Sequence, residues 1–133
     1  MNEPQGRLTA IVVDDEAFIR QVLTRMLERI GLEVVAVAES GGPVVDLYGE
    51  HRPDVVLMDI AMPEIDGLTT LGHLREAHPE ARVIICTSFS SLKYLQEAEQ
   101  LGAAGFLNKP FDMNGIRSTL DQIFPGRLPA PVP

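Results

Sequence analysis

The sequence predicts a doubly wound α/β fold, a (βα)5 sandwich in which five parallel strands alternate with five helices. Two observations carry that prediction. Short, uninterrupted Val- and Ile-rich runs recur along the chain, and a stretch with helical apolar spacing follows each of them. A short run without polar alternation is the mark of a strand buried on both faces, which a parallel sheet covered by helices requires.

The strand runs are Leu8–Val13, Val34–Ala38, Val55–Met58, Val83–Cys86 and Gly105–Leu107. Between the first two, Ile19, Val22, Leu23, Met26, Leu27 and Ile30 form one helical stripe, with Gly31 where a C-terminal cap belongs. The second helix is expected to start near Pro43, which the first turn tolerates, and to turn Val44, Leu47 and Tyr48 inward. A third follows Asp66-Gly67 with Leu68, Leu71 and Leu74. A fourth is expected from Ser90 to Leu101, ending at Gly102. Asp112 caps a fifth, which aligns Ile116, Leu120 and Ile123. The implied organisation is an N-terminal extension over 1–7, a single domain over 8–124, and a Pro-rich tail over 125–133 without apolar periodicity, expected to be extended or disordered.

Composition narrows the function. A chain of 133 residues with 45% hydrophobic and 23% charged residues has enough apolar material for one core. A formal net charge of −8 argues against a nucleic-acid surface, which needs clustered Lys and Arg. The lone Cys86 cannot form an internal disulfide, no signal peptide is visible, and no apolar run approaches the roughly 20 residues of a membrane span. The expected location is the cytoplasm.

Polar residues stand where strands end: Asp14-Asp15 after the first, Asp59 after the third, Thr87 after the fourth and Lys109 after the fifth. Ligands of open α/β sheets bind beyond the carboxyl ends of the strands. With strands 1, 3, 4 and 5 side by side, these groups meet in one crevice. Clustered carboxylates repel and call for a cation, and all-oxygen donors suit Mg²⁺. A carboxylate can attack phosphorus to give an aspartyl phosphate, and Lys109 and Thr87 would then supply charge and a donor to the phosphoryl oxygens.

The set Asp14-Asp15, Asp59-Ile-Ala-Met-Pro63, Asp66-Gly67, Thr87-Ser88 and Gly105-Phe106-Leu-Asn-Lys109-Pro110-Phe111 resembles the receiver domains of two-component response regulators, across residues 8–124. The resemblance implies a flavodoxin-like sheet in the order 2-1-3-4-5. It implies that Asp59 is the phosphoacceptor, that Asp15, Asp59 and the Ala61 backbone carbonyl bind Mg²⁺, and that Asp14 acts through water. Lys109 would pair with the phosphoryl group, Thr87 would turn its hydroxyl toward it, and Phe106 would swing into the vacated space. The Lys109-Pro110 bond is expected to be cis. Ser88 replaces the usual Ala or Gly, and Ala61 and Phe89 offer no side-chain group to orient an attacking water, so fast dephosphorylation is not expected.

The implied activity is that of a phosphoprotein switch rather than a turnover enzyme. A sensor histidine kinase or phosphotransfer protein would donate the phosphoryl group. A downstream protein, or a second copy in a phosphorylation-dependent dimer, would read the surface of helix 4, strand 5 and helix 5, where Lys93, Tyr94, Glu97, Gln100 and Arg117 are expected. The receiver part of a larger regulator, such as a transcription factor, is an alternative. A Mg²⁺-dependent aspartate phosphatase of the haloacid dehalogenase type is a remote one, because strand 1 ends in adjacent aspartates rather than Asp-x-Asp. Asp14-Asp15 could alone be an N-cap. Asp66 and Asp112 read as turn and cap, Asp54 as a solvated turn residue, His51, His73 and His78 as solvated surface, and Cys86 as core.

Overall fold

The computed structural model describes residues 6–62, 66–88 and 92–130. Ten elements alternate along the chain: β1 (Thr9–Val13), α1 (Ala17–Ile30), β2 (Glu33–Ala38), α2 (Val44–His51), β3 (Val55–Asp59), α3 (Gly67–Ala77), β4 (Val83–Thr87), α4 (Leu92–Gln100), β5 (Gly105–Asn108) and α5 (Met113–Ile123). The strands form one parallel sheet in the order β2-β1-β3-β4-β5. The expected fold class and strand order are both present.

Strand side chains alternate between two cores, as the two-residue repeat of a strand demands. Ile11, Val13, Val56, Met58, Val83 and Ile85 pack under α2, α3 and α4. Ala10, Val12, Val55, Leu57, Ile84 and Cys86 pack under α1 and α5. Fully burying one such Leu or Ile contributes about 1.5–3 kcal/mol, so these two layers fix the strand register from which the site is built. Cys86 is core as expected, and burial pushes its thiol pKa up, away from reactivity.

The caps fall where the sequence placed them. The Asp66 side chain accepts from Thr69 N–H and that of Asp112 from Gly115 N–H, worth about 1 kcal/mol each. At Gly31, φ is 121°, a value that favours glycine. Its N–H bonds back to Leu27 and Glu28, closing α1.

Several expectations need correction. β2 is not buried on both faces. It is the sheet edge, and Val37 is 50% exposed. Asp54 is not a solvated turn residue: its Oδ2 accepts from Thr9 N–H at 2.8 Å and Thr9 Oγ1 at 3.2 Å, tying the start of β3 to β1. His78 is half-buried, with its ring 4.7 Å from that of Tyr48 and its Nδ1 3.8 Å from Glu80. α4 is described from Leu92, and Pro63, Phe89 and Ser90 lie outside the described residues.

The tail is not free as far as Pro129. Arg127 donates to Gly6 O at 3.1 Å, Arg117 donates to Pro129 O, and Leu128 packs on the α1–α5 core. Pro129 covers Gly31 so closely that a Cβ there would lie 2.5 Å from its ring. Arg117 therefore holds the tail instead of standing free on the α4–β5–α5 face. Residues 131–133 lie outside the described residues.

Candidate functional site

Parallel strands place all their carboxyl ends on one rim. The rim collects Asp14 and Asp15 from β1, Asp59 from β3, Thr87 from β4 and Lys109 just beyond β5. Lys109 Nζ lies 2.8 Å from Asp14 Oδ2 and 3.3 Å from Asp59 Oδ2. Carboxylate oxygens of Asp14, Asp15 and Asp59 all lie within 4.8 Å of one another. Asp14 and Asp59 are only 2% and 5% exposed, whereas Asp15 is exposed.

Backbone donors aim these groups. Glu16 N–H donates to Asp14 Oδ1 at 2.9 Å and Ala61 N–H to Asp59 Oδ1 at 3.2 Å. Asp14 N–H is itself tied to Ala38 O, and Lys109 N–H to Thr87 O at 2.9 Å, which brings the ends of β4 and β5 together. Thr87 is buried at the end of β4, and the Lys109-Pro110 peptide is cis. Phe106 is half-buried on β5 against the core beneath α2, α3 and α4. The N-cap of α1 is Glu16, and no side chain caps it. Helix capping therefore does not account for Asp14 and Asp15.

The charges are unbalanced: three carboxylates share one ammonium. Burial pushes the Asp59 pKa up, and the Asp14 charge adds to this against the pull of Lys109. For Lys109, burial works to lower the pKa, but the hydrogen bond to Asp14 and the charges of Asp59 and Asp14 more than offset it and raise it. A compact set of hard oxygen donors with excess negative charge fits Mg²⁺ better than a softer metal.

Two residues of the site escaped sequence reasoning. Gly67 starts α3 directly against β3, and a Cβ on it would sit 2.2 Å from Asp59 O and 2.8 Å from Ile60 Cα. Arg20, on the flank of α1, donates to Asp14 O at 2.7 Å. The Asp66-Gly67 pair carried a signal that reads equally well as a plain turn, whereas Arg20 carried none.

Fold and site together define a doubly wound α/β domain with a cluster of three carboxylates beyond its sheet that could hold a cation. A sequence model of the response regulator receiver domain matches residues 10–121, and the chain belongs to that family. It is 39% identical to the chemotaxis protein CheY of Bacillus subtilis over 112 residues, 84% of this chain and 93% of that one. It is 42% identical to the DNA-binding transcriptional regulator NtrC of Klebsiella pneumoniae over 113 residues, 85% of this chain and 24% of that one. Among solved structures, a chain of the CheX-CheY-BeF3-Mg²⁺ complex from Borrelia burgdorferi superposes with a TM-score of 0.84 at 28% identity, covering 88% of this chain and 89% of that one. Among the described residues, no helix is long and apolar enough to cross a membrane.

Proposed function

We propose that this chain is a phosphorylation-dependent switch that accepts a phosphoryl group on Asp59. The observation that carries this reading is the placement of Asp59 at the end of the central strand, within reach of Asp14, Asp15 and Lys109. Asp15, Asp59 and the Ala61 carbonyl would hold Mg²⁺, with Asp14 acting through water. Bound there, the ion supplies neutralising charge to the carboxylates and the incoming phosphoryl oxygens.

From a phosphohistidine donor, an Asp59 carboxylate oxygen attacks phosphorus. The O–P bond forms, the P–N bond breaks, and the imidazole leaves with the electron pair and takes a proton from solvent. Lys109, already poised between Asp14 and Asp59, turns its ammonium to the new phosphoryl oxygens, and the Thr87 hydroxyl donates to another. Phe106, only half-buried on β5, follows Thr87 inward. The α4–β5–α5 surface then changes for a downstream protein or a second copy. α4 is suited to this, because Ala98 is its one buried residue while Leu92 and Tyr94 are exposed.

The donor is proposed to be a sensor histidine kinase or phosphotransfer protein, and turnover is limited to slow hydrolysis of the aspartyl phosphate. A second reading, that such a chain serves as the receiver of a longer regulator, is favoured by the NtrC match, in which it spans about a quarter of the relative.

The test is incubation with acetyl phosphate and Mg²⁺ followed by intact-mass measurement. One phosphoryl mass should appear and vanish in Asp59→Asn. Normal labelling of Asp59→Asn, with loss in Asp14→Asn, would reassign the nucleophile.

A further inference from the structure

Asp14 is held from every side. Its N–H bonds to Ala38 O, its two carboxylate oxygens take Glu16 N–H and Lys109 Nζ, and its carbonyl takes Arg20 Nη1 at 2.7 Å. Asp15 is the exposed member of the trio. Its carboxylate nevertheless stays within 4.8 Å of those of Asp14 and Asp59. What directs it is the backbone. A peptide unit is planar, so the carbonyl oxygen of Asp14 and the N and Cα of Asp15 share one plane. Fixing that oxygen fixes the direction in which Asp15 leaves the strand.

We propose that Arg20 is a positioning residue of the acidic pocket: by gripping the Asp14 carbonyl from the first turn of α1, it orients the Asp14-Asp15 peptide and keeps the Asp15 carboxylate facing the shared cation site. The inference rests on the reading of that pocket as a Mg²⁺ site. The helix gives the grip its rigidity, since Arg20 N–H bonds to Glu16 O within the first turn. The arginine stem is long enough to reach back six positions to the loop, and the contact is half-buried.

The sign of the effect separates positioning from plain electrostatics. Removing a nearby positive charge would tighten Mg²⁺ binding to a negative pocket, whereas loss of orientation weakens it. The experiment is a Mg²⁺ titration of the full chain by NMR, with amide exchange at Asp15 and Glu16 measured without metal. Arg20→Met, which keeps the stem and removes the donors, should raise the Mg²⁺ Kd about tenfold, the usual scale for a residue supporting a metal ligand. It should also speed exchange at Asp15. Arg20→Lys, which restores a single donor, should recover to within about threefold of the wild type. If Arg20→Met loses its cooperative melt, Arg20→Leu, which also lacks any donor, stands in with the same expectations.

An unchanged or lower Kd in Arg20→Met, or equal losses in Arg20→Met and Arg20→Lys, overturns the assignment. Asp15→Asn is the control for the underlying reading. If it leaves the Kd at the wild-type value, the pocket itself is misread and the role of Arg20 falls with it. If Asp15→Asn weakens binding and Arg20→Met does not, only the role of Arg20 is lost.

Discussion

Replacing Gly67 with alanine tests how tightly the phosphoacceptor strand is held. The new Cβ would lie 2.2 Å from Asp59 O, 2.8 Å from Ile60 Cα and 3.0 Å from Asp59 C, all backbone atoms that cannot rotate away. Relief of the shortest contact requires the end of β3 and the start of α3 to separate by roughly 1 Å, in a region packed to near-crystalline density. Overpacking of this kind costs about 1–3 kcal/mol, and the helix preference for Ala over Gly returns at most about 1 kcal/mol. The expected net loss is about 1–2 kcal/mol, read by urea unfolding. A 1 Å shift of the nucleophile also lowers reaction rates by up to about 100-fold, so acetyl phosphate labelling should slow far more than stability falls. Gly72→Ala, in the same helix, is the control. Its Cβ meets only Leu101 Cδ2 at 3.8 Å, an ordinary contact, and it should stabilise by up to about 1 kcal/mol. Wild-type stability and labelling in Gly67→Ala would show slack at the end of β3 and refute the argument.

The charge imbalance makes further predictions. The folded-state pKa of Asp59 is raised, so between its unfolded and folded values the native state keeps a proton that the unfolded chain has lost; metal-free stability should therefore fall as pH rises through that window. Asp59→Asn should flatten the slope in pH-dependent melts and be more stable than wild type at neutral pH without metal, and a retained slope would assign it elsewhere. Lys109, whose pKa is raised, contributes stability below its unfolded pKa of about 10.4 that is lost as pH climbs through its folded value. Lys109→Met leaves two buried carboxylates unpaired and should lose about 3 kcal/mol at neutral pH in chemical denaturation; a loss below the error of the method would mean that solvent already screens the pair. Mg²⁺ at about ten times its Kd should stabilise the wild type by about 1.4 kcal/mol, and calorimetric melts of Asp15→Asn should lose most of that gain. With beryllofluoride bound, the wild type should show chemical-shift changes at Phe106 and Lys93–Glu97 that Thr87→Ala loses, while wild-type-sized shifts in Thr87→Ala would break the proposed coupling.

The central architecture was readable because its signals are local. β1, β3 and β4 are buried on both faces, so their apolar runs are uninterrupted, and the helix stripes and Asp caps repeat at fixed spacings. The acidic pocket was readable for another reason: few folded roles place carboxylates at the ends of two buried strands and a lysine at a third. Misreadings arose wherever a partner distant in sequence decides the environment. Val37 looks like a core strand residue and becomes an edge residue because, among the described residues, no strand pairs beyond β2. Asp54 meets Thr9 across 45 positions, and the tail meets Gly6 across 121. Arg20 resembles any other arginine on a helix flank until the fold brings it to the Asp14 carbonyl.

The contact between Arg127 and Gly6 joins the two ends of the described domain in a seam at the pole opposite the acidic pocket. A strand of five residues spans about 17 Å, so whatever is attached at the seam sits at least that far from Asp59. A circular permutant that links Arg127 to Gly6 through a short linker should close with little added entropy, because those two residues already lie an arginine side chain apart. A module fused at the seam would not feel the phosphoryl group from below. Any message to it must pass through the packed strands and helices that separate the two poles.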